Sequence, residues 1–142
     1  METSIFEIGL LDTVIFVLGP VVLITIIYKN LPFRETGDKK PFIAFVPKYR
    51  KTIYSKLAGN EIESILSGFG FKKVKEKGER VVFTRGSILA DFSIEQTKLD
   101  VGINRLSEQK LELTVKAGGV VAFDTGDHWT FITKLGEKLE TA

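Results

Sequence analysis

The sequence predicts an α+β protein with one N-terminal transmembrane helix and a small two-layer domain, an antiparallel meander sheet with two helices on one face. Three observations predict it. Residues 13–28, TVIFVLGPVVLITIIY, carry no charge. Residues 71–116 repeatedly alternate apolar and polar positions, as strands with one buried and one wet face do. Two other stretches, 61–69 and 127–140, space their apolar residues three and four apart, the period of an amphipathic helix.

Extended back through Ile8-Gly9-Leu10-Leu11, the N-terminal run reaches the roughly 20 apolar residues that a bilayer crossing takes. Its leader holds Glu2, Glu7 and Asp12 but no Lys or Arg, and no small-residue cleavage pattern follows. A cleaved signal peptide is therefore not expected. Val14, Phe16, Pro20, Ile24 and Tyr28 mark the expected anchor. Pro20 predicts a kink whose freed carbonyl finds another partner, and Gly19 leaves a flat spot for a neighbouring helix. Glu7 and Asp12 are read as the water boundary.

Basic residues set orientation. None precedes the run, while Lys29, Arg34, Lys39, Lys40, Lys48, Arg50 and Lys51 follow it. These are the expected contacts with the membrane surface. They place the N-terminus outside and the C-terminal domain on the cytoplasmic side of a cell inner membrane or a thylakoid.

The chain divides into an anchor at 1–29, a basic juxtamembrane stalk at 30–58 and an α+β domain at 59–142. In the stalk, NLPFRETGDKK mixes Pro, Gly and charge and reads as a connector. PFIAFVP, bounded by prolines, fits a short edge strand or a segment on the bilayer surface. Tyr49, Ile53 and Leu57 lie four apart among Lys and Arg, which predicts a helix near anionic headgroups.

In the domain, Asn60 is the expected N-cap of the first helix, with Glu63 three residues on. FKKVKEK and RVVFTR flank Gly78-Glu79 as a hairpin. Strands are expected at 88–95, 98–104 and 110–116, with a last apolar run at 120–123. The connections are too short for parallel crossovers. Asp124 or Thr125 caps the final helix, whose apolar stripe is Trp129, Ile132, Leu135 and Leu139.

Composition excludes several chemistries. The chain has 142 residues, no cysteine and one histidine, so disulfides, thiol nucleophiles and sites needing two histidines are out. Net charge is only +2, and no nucleic-acid partner is expected. Phosphate-binding, dinucleotide and Ser-centred motifs are missing, so neither a catalytic set nor a cofactor is assigned. Asp124, Asp127 and His128 form the one polar cluster with metal-ligand or acid-base types, and helix capping accounts for them more simply. The partners expected are the lipid bilayer and a membrane protein. The function expected is that of a membrane-anchored accessory protein, a subunit, scaffold or assembly factor. The alternative is a tethered binder of lipid or another apolar small molecule.

Overall fold

Alternation and helical spacing both become structure, in two separate units. The computed structural model describes residues 3–86, 98–119 and 123–142; in the first helix, side chains are described at Gly9, Asp12 and from Val14 onward. The chain forms two compact units, Met1–Pro32 and Phe33–Ala142.

The first unit is one helix, α1 (Thr3–Asn30), with Pro20 inside it. Near its end, Thr25 Oγ1 donates to the Val21 carbonyl at 2.7 Å and Asn30 Nδ2 to the Ile26 carbonyl at 2.8 Å. These bonds occupy polar groups that would otherwise interrupt an apolar surface. Among the described residues, no helix is long and apolar enough to cross a membrane. The described apolar stretch Val14–Ile27 is about 21 Å long at ~1.5 Å per residue.

The second unit contains β1 (Arg34–Glu35), β2 (Ala44–Phe45), β3 (Lys48–Tyr54), α2 (Gly59–Gly68), β4 (Lys72–Lys77), β5 (Arg80–Arg85), β6 (Leu99–Ser107), β7 (Lys110–Ala117), β8 (Phe123–Asp124) and α3 (Asp127–Thr141). The main sheet has the order β1-β3-β7-β6-β5-β4, and β2 pairs with β8 separately. From β4 to β7 neighbouring strands pair antiparallel in chain order, but β5 pairs directly with β6, where the expected meander had residues 88–95 between them.

The sheet as a whole is mixed, which corrects the pure meander. β1 runs parallel to β3, and β3 enters beside β7, far from it in sequence. The parallel pair is possible because residues 36–47 lie between β1 and β3, about the dozen that a crossover takes. A second correction concerns 48–54, expected as a basic helix. Tyr49, Lys51 and Ile53 register against Val115, Leu113 and Leu111, so the segment is a strand. Spacing of four is an even number, and it suits a strand as well as a helix. Much of the expected stalk is thus built into the sheet. The expected strand at 88–95 lies outside the described residues, as does most of the run at 120–123.

One sheet face is apolar: Ile53, Leu111, Leu113, Val115, Val101, Leu99 and Phe83 are all buried. Ile62 and Leu66 of α2 and Ile132, Leu135 and Leu139 of α3 join them in one cluster, so both helices cover that face. α2 begins one residue before the expected cap. Glu61 Oε2 reaches back to accept from the Ala58 amide at 2.6 Å. It ends where Gly70 adopts φ +80°. Gly70 N–H then donates to the Ser67 carbonyl and Phe71 N–H to that of Leu66, closing free carbonyls of the last turn. The opposite sheet face is polar. There Arg50 pairs with Glu35 at 2.7 Å and Glu112 at 3.7 Å, and Thr84 bonds Asp100 at 2.9 Å. β4, the lysine-rich strand, is a sheet edge, where lysine discourages pairing with another chain.

Candidate functional site

Of the three residues singled out at the start of α3, the side chains of Asp124 and His128 approach each other, and that of Asp127 is exposed. Asp124 Oδ1 accepts from the Asp127 amide, the first of α3, at 2.6 Å; the N-cap position itself is Gly126. Asp127 Oδ2 accepts from the Thr125 hydroxyl at 3.1 Å, so this carboxylate turns to solvent. His128 is buried, with Nδ1 3.3 Å from Asp124 Oδ2. The two atoms lack hydrogen-bond alignment, and His128 Nε2 has no partner. Burial alone would raise the Asp124 carboxyl. The His128 imidazole and the amides of Asp127 and Gly126 overcome it and hold the group below its ordinary value.

Tyr49 belongs to the same neighbourhood. Its hydroxyl is buried without a partner. Burial, then the charge of Asp124, push it above the ordinary phenol value, against the pull of Arg34. Local pattern reading misses Tyr49, because 66 residues of chain (115 − 49) separate it from the β7 residue it faces. The cluster is thus one helix cap with two buried polar rings behind it. Among the described residues, no three His, Asp or Glu side chains are grouped to hold a metal ion.

Segment 37–47 crosses this cap. Trp129, partly buried against the core, donates from Nε1 to the Gly37 carbonyl at 3.2 Å. Gly126 has φ +83°, and a Cβ there would stand 2.7 Å from the Pro41 carbonyl oxygen. Ala44 and Pro47 are buried. Between these fixed points Phe42, Ile43 and Phe45 face outward, 89 %, 50 % and 67 % exposed.

The basic residues expected at a membrane surface divide into two groups. Arg34, Lys39 and Lys40 are exposed. Lys48 is buried, its ammonium 5.0 Å from the centre of the Phe33 ring; burial, then nearby Lys116, lower its pKa. Arg50 is held by two carboxylates, and the Lys51 stem lies against Gly136 of α3. Lys29 lies in the last turn of α1. Of the anchor residues, Val14, Phe16, Pro20 and Ile24 are exposed, and Tyr28 is buried.

Two further features bear on binding. Beneath α3, Ile132, Leu135 and Leu139 are essentially closed to solvent. One groove lies under α2, about 400 Å³ in volume and lined by Ile62, Val81, Phe83, Ile103 and Leu111; two others, of about 450 and 410 Å³, border α3 at Leu139 and at Phe131. The rim of the first includes Glu63, Lys73 and Glu76, with Lys73 paired to Glu63 at 2.9 Å and Glu76 at 3.4 Å. Across the sheet edge, Arg85 stacks between Phe71 and Phe131 at 4.8 and 4.9 Å and donates to the Phe69 carbonyl at 3.0 Å. This contact ties α2 to α3.

No family model, curated protein or solved structure matches the chain.

Proposed function

We propose that this protein is a membrane-anchored accessory protein whose folded unit binds a protein partner within a membrane complex. The observation that carries it is the surface of α1. From Val14 to Ile27 its large apolar residues are exposed on every side. Counted in sequence back to Ile8, the run approaches the ~30 Å of a bilayer core. Lys29 and the exposed Arg34, Lys39 and Lys40 follow it, which supports a cytoplasmic folded unit by the bias of basic residues.

The partner surface we assign is the groove under α2. An apolar floor ringed by charges is the usual anatomy of a specific contact. The test is affinity purification of the full chain from a detergent extract of its native membrane. A stoichiometric partner, lost on Val81→Asp with the circular dichroism unchanged, is the expected result. A chain that purifies alone overturns the reading.

The volume of the same groove favours a second reading, an apolar small molecule or lipid tail, since about 400 Å³ is within the range of ligand sites. Native mass spectrometry of the purified chain separates the two. A retained small molecule supports the second reading, and a bare chain that still captures its partner supports the first.

A further inference from the structure

We infer that Phe42, Ile43 and Phe45 form a second membrane contact, a fixed apolar tip that the folded unit inserts into the headgroup region of an anionic bilayer. The inference rests on the reading of α1 as an anchor. Three observations carry it.

The exposure is built rather than incidental. Trp129 holds Gly37, Gly126 admits Pro41 at close range, Ala44 is buried between Ile43 and Phe45, and Pro47 is buried beyond them. Pairing of β2 with β8 sets the backbone of Phe45 against Phe123. Val46 has φ +53°, a conformation that a β-branched residue adopts only when its surroundings impose it. The Lys48 amide closes the turn on the Val46 carbonyl at 2.8 Å. A strained turn keeps three large apolar side chains in water, where they gain nothing.

The chemistry suits lipid. Aromatic and aliphatic groups beside basic ones are the composition of interfacial contacts. Lys39 and Lys40 precede the tip and are exposed, and no acidic residue lies between Lys39 and Lys48. A protein partner that recognised the tip by charge would have to be acidic, as an anionic headgroup layer already is.

The tether allows it. From Asn30 to Phe42 the chain spans 12 residue steps (42 − 30), at most about 43 Å when extended at ~3.6 Å each. That length is enough for the tip to reach the headgroup layer from the end of α1.

The absence of cysteine makes the test direct. Single-cysteine variants Phe45→Cys, Ile43→Cys, Ile24→Cys and Tyr54→Cys of the full chain carry an environment-sensitive fluorophore in nanodiscs of phosphatidylcholine and phosphatidylglycerol. Tyr54, exposed on β3, reports water, and Ile24 reports the anchor. Labels at 43 and 45 are expected to shift to the blue, to be quenched by spin-labelled lipid, and to show severalfold weaker iodide quenching than position 54. The blue shift should shrink in phosphatidylcholine alone. Iodide quenching at 43 and 45 equal to that at 54, with position 24 in lipid, overturns the inference and leaves the anchor standing. Position 24 in water overturns both. Labels at 43 and 45 shielded from both quenchers assign the tip to a protein interface and overturn the lipid contact.

Discussion

Along α1, Val14, Ile15, Phe16, Val17 and Leu18 follow one another and all are exposed, Phe16 at 80 %. Along α3, Ile132, Leu135 and Leu139 are buried while Lys134, Glu137 and Lys138 face water. Five successive positions at about 100° each sweep every side of a helix. A sheet can cover only one of those sides. α3 confines its apolar residues to the side that the sheet covers, and the hydrophobic effect then holds it in place. α1 has no such stripe.

The largest expected effect comes from removing residues 1–32. The full chain should sediment with membranes and resist alkaline extraction, and the truncated chain should remain in the supernatant. A truncated chain that still resists extraction would remove the contrast between the two helices. Next, Leu135→Ala should cost about 2–5 kcal/mol, as truncations in closed cores do. Ile24→Ala should leave the denaturation midpoint of the folded unit unchanged. Equal effects at both positions would mean that α1 packs as a core element.

A smaller effect is expected at the cap of α3. Asp124→Ala should cost about 1 kcal/mol from the lost hydrogen bond to the Asp127 amide, read from urea denaturation. The carboxyl is held below its unfolded-state value by His128 and the two amides against the effect of burial. Its contribution is therefore complete above about pH 4 and disappears as pH falls through the folded-state value. Asp124→Asn should flatten the acid limb of the stability curve, and an unchanged limb would assign acid sensitivity elsewhere. Smallest is Tyr49→Phe. Deleting a buried hydroxyl that has no partner should be neutral or stabilise by up to ~1 kcal/mol. Clear destabilisation would reveal that the hydroxyl is bonded.

The helices, the hairpin at 72–85 and the alternation at 99–103 and 111–115 were legible because each is encoded by neighbours in sequence. The start of α3 was legible to within two residues: Asp124 bonds its first amide, but the N-cap is Gly126 rather than Asp124 or Thr125. What escaped is non-local. Nothing near Tyr49 records that its partner strand lies at 110–117, and without that pairing the even spacing of Tyr49, Ile53 and Leu57 fits a helix equally well. The parallel β1–β3 pair depends on a crossover that reads as a stalk when its ends are unknown. Tyr49 joins the polar cluster by the same distant pairing, so only the Asp124–His128 part of that cluster was visible.

The position of β3 bears on how the chain is made. A strand seated between β1 and β7 is a central strand, yet on the ribosome it emerges long before β7. Until Lys110–Ala117 has been synthesised, Tyr49 and Ile53 lack the strand they register against, and formation of this part of the sheet must wait for it. Nascent chains halted before Lys110 should remain sensitive to protease along 48–54, while those extended past Ala142 become resistant in a single step.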